Sequence, residues 1–192
     1  MAEAKIPTKF LWLDMEMTGL DPVDDKILEV AAIVTDHQLN ELGSFESLIA
    51  RTDSELALMK KADWFDWAGG KPTKIGTVYD MATQNGLIDR IKTEGRPENE
   101  VVARLADLIG EHFMSPAIMA GNSIRIDRLF IDTQWPEVAQ KLHYRMLDVS
   151  SFKLWWTANG KPEYRKQEKH RALDDIRESI AELAFYSQDI NF

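Results

Sequence analysis

Three strand-length apolar runs crowd the first fifty residues, and no later segment restricts the fold as tightly. Phe10, Leu11, Trp12 and Leu13 read as a buried strand closed by Asp14. Thr18-Gly19-Leu20-Asp21-Pro22 follows as a turn, because glycine and proline punctuate chain direction. Residues 27–35 form a second apolar run, Asn40 marks the next turn, and residues 43–50 read as a third strand. Strands joined by such short links pair as an antiparallel meander at one side of a sheet.

Beyond residue 53 the pattern alternates. Residues 54–67 carry helical spacing through Leu56, Met59 and Ala62 and stop near Gly69-Gly70. Residues 98–113 place Val101, Val102, Leu105, Leu108 and Ile109 on one helical face. Residues 116–120 and 144–147 read as short strands. Ser123 is placed to cap a helix reaching about residue 134, and Ser150 one reaching about 159. Residues 173–186 form a last helix with Leu173, Ile176, Ile180, Leu183 and Ala184 inward, and residues 69–77 read as a flexible loop. Strands first, then alternating helices and strands, imply an α/β domain: a mixed β-sheet flanked by helices. The 192 residues suit a single domain, with its core at about 9–187.

Charge narrows the function classes. The formal net charge of −9 argues against a broad basic surface gripping long nucleic acid, because phosphate neutralisation supplies most of that affinity. A small nucleic-acid ligand held by metals and local cations stays open. Lys161, Arg165, Lys166, Lys169 and Arg171 supply one cation cluster; a solvated loop reads the same way. No apolar run approaches the roughly 20 residues of a membrane helix, and residues 1–9 contain no signal-peptide core. Cysteine is absent, which excludes disulfides and thiolate metal sites. A cytoplasmic protein without a membrane partner is expected.

Four carboxylates and one histidine carry the chemistry. Asp14 and Glu16 lie two apart on a strand, so both side chains aim at one face. A solvated acid pair at a strand end would look the same. Asp127 lies three residues from both Ile124 and Phe130, on the inward face of its helix. A buried carboxylate needs a partner: either a metal ion or an arginine such as Arg125 or Arg128. His170 precedes the last helix, and Asp175 sits in its first turn, with Asp174 as the alternative acid there. Carboxylates converging from distant segments hold hard divalent cations. A histidine beside them can accept a proton near neutral pH.

These motifs resemble the DEDD-type 3′→5′ exonucleases, in the DEDDh subfamily that uses a histidine, and within it the oligoribonuclease branch. The stretches that carry the likeness are Leu13-Asp14-Met15-Glu16-Met17-Thr18-Gly19-Leu20-Asp21-Pro22, Gly121-Asn122-Ser123 with Asp127-Arg128, His143-Tyr144-Arg145-Met146-Leu147-Asp148-Val149-Ser150, and His170-Arg171-Ala172-Leu173-Asp174-Asp175 with its following turn. The resemblance implies a ribonuclease H-like fold, a homodimer, and processive clearing of short single-stranded RNA, down to dinucleotides, to 5′-mononucleotides. It assigns two Mg²⁺ or Mn²⁺ ions to Asp14, Glu16, Asp127 and Asp175, and makes His170 the general base. Leu20 would wedge against the bases, with Trp64 or Trp67 as their stacking partner. Ser123, Arg145, Ser150 and Ser151 would approach the 5′ phosphate. Tyr144 would be lent to the neighbouring protomer's site.

The chain departs from the family pattern around residues 64–87, which are longer than expected and contain Gly69-Gly70-Lys71-Pro72. The position that would carry a second base-contacting residue, a histidine, reads Ala82. Two competing readings share the four acids: a DEDDh proofreading-type exonuclease on DNA ends, and a non-catalytic nucleic-acid-binding module. The second normally requires a lost metal ligand, and none is lost here. A phosphatase-like hydrolase with an Asp-led strand leaves His170 and Asp175 unexplained.

Overall fold

The three N-terminal runs pair as the meander their spacing implies. In the computed structural model, which describes residues 8–66, 72–165 and 171–188, β1 (Lys9–Met17) lies antiparallel to β2 (Ile27–Asp36), and β2 antiparallel to β3 (Glu41–Leu48). Two later strands, β6 (Ala117–Gly121) and β7 (Leu142–Asp148), join on the other side of β1, both parallel to it, in the order β3-β2-β1-β6-β7. This is a mixed sheet flanked by helices.

Alternation on β1 and β2 separates two apolar layers. Leu11, Leu13 and Met15 share one face with Val30, Ala32 and Val34. That face packs on α4 (Glu98–His112) through Val101, Leu105 and Ile109, and on α5 (Arg125–Gln134) through Phe130 and Ile131. Trp12, Ala31 and Ile33 face the opposite way, toward α7 (Val149–Ala158) and α8 (Ala172–Ser187), where they meet Trp156, Ile176, Leu183 and Tyr186. Each such fully buried side chain contributes roughly 1.5–3 kcal/mol. The indole N–H of buried Trp12 donates to Thr35 Oγ1 at 2.9 Å, so no polar atom is stranded there.

The structure corrects the helix expected over residues 54–67. A capping box between Thr52 and Glu55 starts α1 (Asp53–Leu56), the chain tightens into a 3₁₀ turn over Ala57–Lys61, and Ala62 turns extended. The residues after it prefer a sheet: β4 (Asp63–Asp66) pairs antiparallel with β5 (Thr73–Thr77). Of the loop expected at 69–77, residues 73–77 form the second strand of a hairpin, and 69–71 lie outside the described residues. Two helices unforeseen in the sequence follow. α2 (Val78–Gln84) starts on a Thr77–Asp80 capping box, and α3 (Leu87–Glu94) starts after Gly86, whose φ of 76° suits glycine. Their buried Ala82, Leu87, Ile88 and Ile91 cover Leu28, Leu48, Leu56 and Met59. The short helix α6 (Pro136–Ala139) leads into β7.

Neither serine is the helix cap expected of it. Ser123 sits at φ 52°, and α5 begins after Ile124 without a side-chain cap. Asp148 caps α7, its carboxylate accepting from the Ser150 N–H. Both hydroxyls are thereby released for contacts with each other.

Candidate active site

Asp14 and Glu16 continue the Trp12 face of β1, the face that α8 covers. Asp175 lies in the first turn of α8. Strand alternation and helix placement thus bring three carboxylates together: one oxygen of each of Asp14, Glu16 and Asp175 lies within 4.8 Å of the others. Three anionic oxygens at that spacing repel one another unless protons or a cation intervene. The all-oxygen donor set fits a hard divalent ion and offers nothing to soft metals.

Electrostatics mark Glu16 as the centre of the strain. Burial pushes its carboxyl up to about 8, and the neighbouring carboxylates Glu29, Asp175 and Asp127 push the same way. Glu29 is its direct cross-strand partner, 1% exposed. Its own carboxyl is raised by burial, against the counter-pull of Arg90 on α3, whose Nη2 approaches it at 3.3 Å. The β1–β2 pairing slips immediately after this pair, between Glu16 and Met17, a local irregularity that re-aims side chains.

Asp127 reaches the same strand end from the other layer. It is 7% exposed, inside α5 as helical phase indicated. Burial pushes its carboxyl up to about 7, opposed by hydrogen bonds that include one from the backbone N–H of Met15, between Asp14 and Glu16. The arginine alternative fails for Arg128: it pairs with Asp132 at 2.8 Å and donates to the His143 carbonyl. Arg125 is exposed.

A pinned turn presents Leu20 beside these acids. Thr18 Oγ1 donates to Asp25 at 2.8 Å, and the Asp21 N–H donates to the same carboxylate. A Cβ on Gly19 would collide with that carboxylate. Gln134 Nε2 holds the carbonyls of Pro22 and Asp25, both at 2.8 Å. The result is a rigid loop with Leu20 73% exposed at its tip.

Ser123 and Ser150 bring their hydroxyls to 3.2 Å, and the Ser123 N–H donates to both Ser150 Oγ and Asp148 Oδ1. Ser151 and Arg145 are exposed nearby in sequence, and Arg145 lies over the Tyr144 ring at 5.3 Å. Tyr144 itself points out from β7, the last strand of the sheet, stacked on His143.

His170, Lys166, Lys169 and Trp67 lie outside the described residues. Trp64 lies on β4, its backbone opposite Gly76. Ala82 is buried in α2, so no base-facing group replaces the absent histidine at that position. Sequence reasoning overlooked Glu29 and Asp148. Glu29 had a signal, being the one acid inside the apolar run 27–35.

Residues 11–57 and 71–183 match an exonuclease family, RNase_T. The oligoribonuclease of Vibrio campbellii is 39% identical over 94% of this chain and 94% of its own. That of Tropheryma whipplei is 37% identical over 98% and 96%. The chain belongs to the oligoribonuclease family. Membership of that family makes it a metal-dependent 3′→5′ exoribonuclease, a hydrolase of phosphodiester bonds. The same sheet recurs in E. coli exonuclease I in complex with a 5cy-dT13 oligonucleotide, with a TM-score of 0.61 at 15% identity over 96% of this chain. Exonuclease I of Methylocaldum szegediense gives 0.59 at 16%. The chain spans about two-fifths of those longer proteins (41% and 40%), and the likeness establishes the ribonuclease H-like fold alone. No described helix is long and apolar enough to cross a membrane.

Proposed function

We propose that this exoribonuclease acts on very short single-stranded RNA, down to dinucleotides, and releases 5′-mononucleotides. The observation that carries this reading is the convergence of Asp14, Glu16 and Asp175, with Asp127 adjoining, in a chain that also exposes Leu20 and pairs the Ser123 and Ser150 hydroxyls. Asp14, Glu16, Asp127 and Asp175 would hold two divalent ions, Mg²⁺ or Mn²⁺. When bound, these supply charge neutralisation of the scissile phosphate and a more acidic attacking water. His170 takes the proton of that water as its oxygen bonds to phosphorus. The P–O3′ bond breaks, and the leaving 3′ oxygen collects a proton. Leu20 wedges against the bases, with Trp64 or Trp67 as their stacking partner. Ser123, Arg145, Ser150 and Ser151 meet the 5′ phosphate and exclude longer chains.

The active unit is a homodimer in this reading. Strand β7 ends the sheet, and Tyr144, Met146, Leu154 and Trp155 on β7 and α7 are 73%, 39%, 70% and 58% exposed. Apolar groups gathered at an unpaired sheet edge favour a second copy, and Tyr144 then reaches the partner's site. With no cysteine in the chain, the cytoplasm is the compartment we infer. A matched pair of ribo- and deoxyribodinucleotides tests the substrate class. Hydrolysis confined to the ribodinucleotide supports it, and a preference for the DNA dinucleotide overturns it.

A further inference from the structure

Asn122 follows the last residue of β6 and joins two parts of the site that no strand connects. Its Nδ2 donates to Ser179 Oγ at 2.8 Å and to Glu182 Oε2 at 2.9 Å, both on α8. Its Oδ1 accepts from Ser150 Oγ at 3.2 Å. A carboxylate only accepts, so Glu182 dictates which way the amide faces. Glu182 is 1% exposed, and its other oxygen accepts from Tyr186 at 2.9 Å. Ser179 in turn donates to the carbonyl of Asp175 at 2.9 Å.

The hydrogen-bond directions then run one way. Asn122 claims the Ser150 proton, so Ser150 Oγ accepts from both the N–H and the hydroxyl of Ser123, and the Ser123 hydroxyl, exposed at the surface, can turn that one proton to an anionic ligand while Ser150 stays fixed. We propose that Asn122, held by buried Glu182, is a positioning residue: it sets the Ser123–Ser150 pair in register with the Asp175 turn of α8, so that the 5′ phosphate and the scissile phosphate of a short RNA are held at a fixed separation. This rests on the reading of Ser123 and Ser150 as 5′-phosphate contacts. Neither Asn122 nor Glu182 touches the substrate. They act through the serines and through α8.

The test compares kcat/KM on a diribonucleotide bearing a 5′ phosphate with the same diribonucleotide bearing a 5′ hydroxyl. Asn122→Asp sets two carboxylates against each other. It is expected to lower the wild-type preference for the phosphorylated substrate about tenfold, the equivalent of one hydrogen bond. Adding Glu182→Gln restores a donor–acceptor pair with the roles exchanged, and the double variant is expected to regain the preference. Equal losses on both substrates, or a folded double variant without the preference, would overturn the inference. Should Asn122→Asp not fold, Tyr186→Phe removes one arm of the carboxylate. A preference lowered about threefold supports the proposal, and an unchanged one contradicts it. A wild-type enzyme indifferent to the 5′ phosphate would remove the serine-pair reading itself, and the inference with it. That failure shows in the wild type before any variant is made.

Discussion

Glu16 and Glu29 stand directly opposite each other across β1 and β2, two carboxylates on one face of the sheet. Burial, and after it the nearby Glu29 carboxylate, pushes the Glu16 carboxyl up from its ordinary 4.5 to about 8. A raised folded-state pKa gives stability that is full below the unfolded value and is lost as pH rises through the folded one. For Glu16 the window is about pH 4.5 to 8, and for Asp127 it is about 3.8 to 7. Each unit is worth about 1.4 kcal/mol. The metal-free protein should therefore melt several degrees lower at pH 8 than at pH 5. Added Mg²⁺ or Mn²⁺ should raise the melting temperature more at pH 8, since the ion displaces those protons. Thermal melts in EDTA and in metal at both pH values check this, with Glu16→Gln expected to flatten the metal-free dependence.

Glu29 makes a second, separable prediction. Removing Arg90 strands a buried carboxylate, so Arg90→Ala should cost about 3 kcal/mol of stability in denaturant unfolding. Glu29→Gln should cost less, because the amide needs no counter-charge.

His170 is assigned the proton of the attacking water. His170→Ala should lower kcat by roughly 10²–10⁴ and leave KM within a few-fold. The Mg²⁺-induced shift in melting temperature should stay intact, whereas Asp175→Asn should lose both turnover and that shift. Steady-state kinetics beside metal-titrated melts separate the two.

The lent Tyr144 is checked by mixing two dead chains. Tyr144→Ala and Asp175→Asn should each be inactive as homodimers. Refolded together, they form mixed dimers with one intact site, which holds the Asp175 of one chain and the Tyr144 of the other. Random pairing should recover about a quarter of wild-type activity. No recovery would mean that Tyr144 serves its own chain. Trp155→Glu should shift the protein toward monomer in light scattering, with activity falling in parallel.

What the sequence made legible follows from the reach of each signal. The meander was visible because apolar runs at strand length report on one face or two. Asp127 was visible because helical phase put it beside Ile124 and Phe130. Ser123 and Ser150 were misread as caps because a hydroxyl before a helix looks the same whether it bonds its own turn or a distant residue, here each other. The hairpin β4–β5 stayed hidden because its two halves are separated by Gly69-Gly70-Lys71-Pro72, which reads as a stop. Helix α2 is anchored by its capping box and by buried Ala82, and α3, short and begun at a glycine, by Leu87, Ile88 and Ile91 against Leu28, Leu48 and Met59, contacts that only the folded chain supplies. Each of the four acids lies inside a local motif, yet Glu29 behind them needs the β1–β2 register, which no local pattern states.

The most direct measurement is a cleavage time course on 5′-labelled RNAs of two to twenty nucleotides, with Mg²⁺ and with excess EDTA. The expected result is rapid conversion of the dinucleotide, rates falling steeply with length, and no cleavage in EDTA. Equal rates on the dinucleotide and the 20-mer would contradict a site closed at the 5′ phosphate, and undiminished cleavage in EDTA would contradict the carboxylate metal centre.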